Sequence, residues 1–265
     1  MIKLVASDLD GTLLKEHTNA LSANTISLIW RLLEHNIHFV VASGRQLFNE
    51  YRLFEMFGDK ISYIAENGSI CIHKGKILSR ILINPDLASR IIKEMKRRDD
   101  FELMISFDHG CYVEGKNPDF IRLMEKGLCN KVYIVDDLSK IKGNIMKLAT
   151  LYCGDNKKEK DSYHQHLNQL FQDELDIVTS GSWIDFITPG GNKGASLKKL
   201  IEAMHIKTEE CMAFGDQCND IEMLKLVGTD YAMSAGHPAV ISLAGNIADS
   251  VDEVLEDLLN TYTQK

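Results

Sequence analysis

Residues 3–14 read KLVASDLDGTLL, an apolar run that closes on Ser7 and then sets Asp8 and Asp10 on either side of one leucine. Alternate residues of an extended chain point to the same side, so both carboxylates can face one substrate while the backbone stays extended. One carboxylate, ionised at neutral pH, can attack phosphorus and form an acyl phosphate. The other can protonate a leaving oxygen and later take a proton from water. Gly11 allows a tight turn that aims Asp10 inward. On its own, the pair also fits a strand running out into an acidic turn, since Asp and Gly are common turn residues.

Further groups of the same kind recur along the chain. Ser43-Gly44-Arg45 follows the apolar run IHFVVA, and Lys193 lies in the loop GGNKG. Asp216 follows ECMAFG and leads through QCN to Asp220. Carboxylates gathered at one place repel, and a hard divalent cation compensates them. Mg²⁺ takes oxygen ligands, and no His/Cys cluster has the spacing of a zinc site. A cation beside the Lys193 ammonium and the Ser43 hydroxyl suits a dianionic phosphate, with loop N–H groups at a helix start as further donors. Arg45 could touch substrate or pair with an acidic neighbour, and Asn67-Gly68 shape a turn at the end of ISYIAENGS.

The elements that must position these residues alternate. Residues 2–7, 37–45 and 61–69 are short apolar runs of the kind buried on both faces of a parallel sheet. Between them the spacing predicts helices over 23–35, with Ser22 as N-cap, and over 46–57. From about 83 to 186 the pattern changes. A helix over 86–98, strands over 101–107 and 111–115 around Asp108-His109-Gly110, strands over 131–137 and 144–153, a helix over 160–172 and a strand pair within 176–188 describe an α+β module. Alternation then resumes with a helix over 194–204, a strand over 210–216, a helix from Asn219, a strand over 230–235 and a terminal helix over 251–262. The expected architecture is α/β: a doubly wound, Rossmann-like parallel sheet from residues 1–83 and 187–265, interrupted by an α+β insert over 84–186. Ligands of such a sheet bind beyond the carboxyl ends of its strands, where Asp8, Ser43 and Asp216 fall.

The 265 residues are 45% hydrophobic and 26% charged, with a formal net charge of −8, which offers no electrostatic footprint for nucleic acid. Six cysteines without CxxC pairs or metal spacing suggest free thiols in a reducing compartment. No apolar stretch approaches the ~18 residues of a membrane span, and Asp8 and Asp10 interrupt the N-terminal run. The sequence points to a cytoplasmic protein with neither membrane nor nucleic-acid partners; its oligomeric state is not readable.

DLDGTL, SGR, NKG and GDQCND, in that order, resemble the motifs of the haloacid dehalogenase superfamily of phosphohydrolases. With IAENGS and the placement of the insert, the chain is more narrowly similar to the Cof-type branch, which carries a large α+β cap. The resemblance implies Asp8 as nucleophile and Mg²⁺ ligand, and Asp10 as acid/base with its backbone carbonyl on the metal. It implies Ser43 and Lys193 as phosphate-binding residues, joined by Gly44, Arg45 and Asn219 on the substrate side. It further implies Asp216 as metal ligand, with Asn219 and Asp220 as phosphate or metal contacts. The second Asp of the pair favours phosphate transfer over dehalogenation. The expected activity is hydrolysis of a small phosphorylated metabolite, sugar phosphates first, with the cap excluding water and reading the leaving group. A phosphosugar mutase using the same intermediate and a catalytically silent phosphate-binding regulator are the alternatives.

Overall fold

The computed structural model describes residues 1–14 and 20–263. They fall into two compact units, one built from Met1–Arg45, Glu50–Ser79 and the chain from Asn192 onward, the other from Gln46–Asn49 and Arg80–Gly191.

Every residue of β1 (Leu4–Ser7) is buried, as expected of a strand covered on both faces. α1 (Ala23–Glu34) starts where Ser22 Oγ accepts a hydrogen bond from Thr25 N at 2.9 Å, the expected cap. β2 (His38–Ala42), α2 (Leu47–Leu53) and β3 (Ser62–Ala65) follow. β3 is shorter than the sequence suggested, because Glu66–Gly68 form a 3₁₀ turn. The chain then returns as β4 (Ile70–His73), antiparallel to β3, and β5 (Lys76–Arg80). Lys74 and Gly75, with φ of 51° and 69°, make the two-residue turn between them. The sheet is therefore parallel except at this edge.

In the second unit, α3 (Pro85–Met95) is capped by Asn84 with proline at its first turn. β6 (Phe101–Phe107) and β7 (Gly110–Glu114) pair antiparallel around Asp108-His109. α4 (Pro118–Arg122), β8 (Val132–Val135), β9 (Lys147–Tyr152), α5 (Lys157–Phe171), β10 (Asp176–Ser180) and β11 (Trp183–Ile187) complete it. The six strands lie in the order β10-β11-β9-β6-β7-β8. Alternation along β6 divides the packing: Leu103, Ile105 and Phe107 join one apolar cluster with α3 and α5, while Met104 joins Phe120 and Met124 in another.

The first unit resumes with α6 (Lys193–Ala203), β12 (Cys211–Gly215), α7 (Ile221–Leu226), β13 (Thr229–Met233), α8 (Pro238–Ile241), β14 (Asn246–Ala248) and α9 (Val251–Thr263). Its eight strands run β14-β13-β12-β1-β2-β3-β4-β5, with β1 parallel to both β2 and β12. All six cysteines are free thiols. Among the described residues, no helix is long and apolar enough to cross a membrane.

Candidate active site

Three adjacent strands deliver the site. Ser7 lies in register with Val41 on β2 and Phe214 on β12, so Asp8, Ser43 and Asp216 all leave the sheet at one carboxyl edge. Asn192 caps α6 through Oδ1, which accepts from Ala195 N at 2.7 Å, and thereby presents Lys193 at the start of the helix.

Lys193 is fully buried, and its Nζ lies 2.6 Å from Asp8 Oδ1 and 2.6 Å from Asp220 Oδ1. Asp220 Oδ2 accepts from the backbone N–H of Asp216 and of Gln217, each at 3.0 Å, which fixes the loop after β12. Asp216 accepts from Thr12 Oγ1 at 3.2 Å and from Gln217 Nε2 at 2.9 Å. Asp8, Asp216 and Asp220 each place a carboxylate oxygen within 4.8 Å of the others. One ammonium therefore faces three buried carboxylates. Burial pushes Asp8 well above the usual carboxylate range; Lys193 opposes that push, while Asp220 and Asp216 add to it. For Lys193, burial alone would lower the ammonium, but Asp220 and Asp8 outweigh it and hold the proton more tightly. Asp216 is raised by burial, against the bond from Gln217.

The donor set fits a hard divalent cation. Every ligand atom is oxygen, and the carboxylates exceed the local positive charge by two. Asp8 and Asp216 are the better placed to ligate, because both Asp220 oxygens already serve Lys193 and the loop N–H groups.

Asp10 departs from the extended geometry on which a shared face depended. β1 ends at Ser7, and Leu14 N bonds Leu9 O at 2.7 Å across a turn. Gly11 makes that turn with φ of 82°, and a Cβ there would stand 2.5 Å from Asp216 Oδ2. Asp8 is thus buried, while the Asp10 side chain is 59% exposed and lies in a bidentate pair with Arg45, at 2.7 Å to Nε and 2.5 Å to Nη2. Of the two roles open to Arg45, this structure shows the acidic partner.

Ser43 is buried, and its Oγ accepts from Arg45 N at 3.1 Å. Its carbonyl accepts from Asn67 N at 3.0 Å. Asn67 Oδ1 accepts from Asn219 Nδ2 at 2.9 Å, and Gly44 passes so close that a Cβ would lie 2.8 Å from that same oxygen. Sequence reasoning missed Thr12 and Gln217 as Asp216 partners and gave no role to Glu50 or Glu66. Thr12 was within reach, since it belongs to the DLDGTL stretch.

A family model described as haloacid dehalogenase-like hydrolase matches residues 5–256. A 5-amino-6-(5-phospho-D-ribitylamino)uracil phosphatase of Escherichia coli is 25% identical over 96% of this chain and 97% of its own. An HMP-PP phosphatase of Klebsiella pneumoniae is 29% identical over 90% and 86%. Among solved structures, a HAD/COF-like hydrolase from Plasmodium vivax superimposes with a TM-score of 0.86 at 21% identity, covering 98% of this chain and 96% of that one.

Proposed function

The chain belongs to the haloacid dehalogenase-like hydrolases, as a phosphoric monoester hydrolase of the Cof type, and on that premise we propose that it is a Mg²⁺-dependent phosphatase of small phosphorylated metabolites working through an aspartyl-phosphate on Asp8. The observation that carries this reading is the buried arrangement of Asp8, Lys193 and Asp216 at one strand edge. Lys193 sits on Asp8 Oδ1 and leaves Oδ2 to attack phosphorus in line. As the Asp8–phosphorus bond forms and the ester P–O bond breaks, Asp10 gives its proton to the leaving oxygen. In the second half, Asp10 takes a proton from water, whose oxygen displaces Asp8 and releases phosphate. The Ser43 hydroxyl and the Asn219 amide donate to the phosphoryl oxygens, and Asp220 keeps Lys193 and the loop after β12 in place. Asp8, Asp216 and the Asp10 carbonyl would hold Mg²⁺, which when bound supplies positive charge opposite the transferring group.

Both relatives are named for phosphorylated small molecules, one of them carrying a phosphorylated sugar alcohol, which supports sugar phosphates as the first class to screen. Asp8→Asn keeps the shape of the side chain and removes the nucleophile. It is expected to lower Mg²⁺-dependent hydrolysis of p-nitrophenyl phosphate by about a thousandfold or more. Wild-type turnover by that variant would refute the assignment.

A further inference from the structure

Among the described residues the two sheets have four ends, β14 and β5 in the first unit and β10 and β8 in the second. A strand at an end presents unpaired N–H and C=O groups, and soluble proteins blunt such edges with short strands or with charge. β14 is three residues long. β5 begins with Lys76 and ends with Arg80, so an antiparallel copy of itself would set cation against cation. β10 opens on Asp176, and its sequence DIVTS holds no cation to meet it. β8 lacks these defences. It reads VYIV, and Ile134 within it is 55% exposed. Its flanks carry opposite charges, Lys131 before it and Asp136 and Asp137 after it.

The bonds to β7 determine which groups of β8 are left over. The two strands are parallel, with Cys111 N donating to Lys131 O at 2.9 Å and Gly115 N to Val135 O at 3.3 Å. Successive residues of a strand address its two edges alternately. Residues 131, 133 and 135 therefore face β7, while Val132, Ile134 and Asp136 turn their N–H and C=O groups outward. An antiparallel partner must pair with those outward positions, and a second copy of β8 does so about a two-fold axis at Ile134. The two Ile134 residues then exchange both backbone hydrogen bonds, and Val132 does the same with Asp136 of the other copy. The side chains agree with this register. Tyr133, whose ring stacks on Tyr112 with centroids 5.1 Å apart, falls opposite Val135, a favourable aromatic–β-branched pair. Lys131 falls opposite Asp137, which accepts from Lys96 within its own copy. Moving the axis to Tyr133 would set Lys131 opposite Val135 and leave both acids without a cation.

We infer that β8 is a homotypic docking edge: a second copy of this chain adds its own β8 antiparallel about Ile134 and joins the two six-stranded sheets into one. So short a strand pair buries less than a standard interface, and a Kd on the order of 10–100 µM is expected. Sedimentation equilibrium of the full chain from about 1 µM to about 1 mM tests the inference. Wild type is expected to pass from monomer to dimer across that range. Ile134→Lys sets two ammonium groups at the axis and should remain monomeric. Ile134→Pro removes an outward N–H and no bond to β7, and should weaken the dimer by about tenfold or more. Cysteine variants read the register. Paired Ile134 Cα atoms would stand about 5.5 Å apart, within reach of a disulfide, so mild oxidation should cross-link Ile134→Cys well beyond wild type. Tyr133→Cys, at about 8 Å from its own copy, should not exceed wild type. A wild type that stays monomeric at the highest concentration overturns the inference. So does a dimer that Ile134→Lys leaves intact, or one that Ile77→Lys abolishes in its place, which would put the contact on β5. Cross-linking of Tyr133→Cys in preference to Ile134→Cys overturns the register. Should Ile134→Pro fail to fold, Ile134→Lys and Ile134→Cys decide between the same outcomes.

Discussion

Asp8 and Asp10 stand two positions apart in the chain and in opposite surroundings. Asp8 is buried against a lysine and two further carboxylates, where one ammonium cannot offset the gathered charge. Asp10 is exposed and clamped on both oxygens by Arg45, so the proposed acid role requires that clamp to open. This division predicts a leaving-group signature. Asp10→Asn should cost about 10²–10⁴ in kcat/KM on alkyl phosphates, whose leaving oxygen needs a proton. On p-nitrophenyl phosphate, whose leaving group departs as a stable anion, the loss should be far smaller. Equal losses on the two substrates would remove Asp10 from the acid/base role. The sequence made both aspartates legible by type and spacing, and left Arg45 between two uses. What it did not carry was the asymmetry between the aspartates, because that depends on the turn at Gly11 and on Thr12 and Asp216 arriving from distant positions. Glu50 was illegible for a related reason. In QLFNEYRLFEMF it looks like any glutamate of a surface helix, and only packing shows that it faces inward.

At the scale of elements, the helix and strand alternation of the first unit was readable because buried parallel strands are short apolar runs and their helices keep a 3.6 period. The segment 61–69 was read as one strand, whereas β3 stops at Ala65 and a left-handed turn intervenes. Left-handed Glu and Asn leave no apolar pattern to read, and the hairpin of β4 and β5 lies beyond them. That turn is held from the α6 side as well. A Cβ on Gly68 would stand 2.3 Å from the Asn192 carbonyl carbon and oxygen and 2.8 Å from Lys193 N, at a φ of 102° that a side chain rarely adopts. Gly68→Ala must therefore push the start of α6, and Lys193 with it, away from β3. A stability loss of about 2–4 kcal/mol is expected, with weaker phosphate binding alongside it. Chemical denaturation and phosphate calorimetry of the variant check both, and a stable variant with unchanged phosphate affinity would show that the contact is not holding Lys193.

At the scale of the whole molecule, two of the large apolar clusters among the described residues share no residue. One apolar cluster runs from Leu4 to Val240 through β1, β2, β12 and α6, wholly within the unit that carries Asp8, Lys193 and Asp216. Another runs from Ile83 to Phe186, wholly within the other unit. A unit with its own core can unfold as its own cooperative step, and a ligand stabilises the step of the unit that binds it. Calorimetry is therefore expected to show two transitions. Phe186→Ala, which empties a fully buried ring site in the second cluster, should lower one of them by about 3–5 kcal/mol, a shift on the order of ten degrees or more. Mg²⁺ with inorganic phosphate at a hundred times its Kd should raise the other by about 2.7 kcal/mol and leave the Phe186-sensitive step in place. The assignment of all phosphate-holding residues to the first unit fails if the ligand moves the Phe186-sensitive transition instead. The independence of the two cores fails if a single transition responds to both changes.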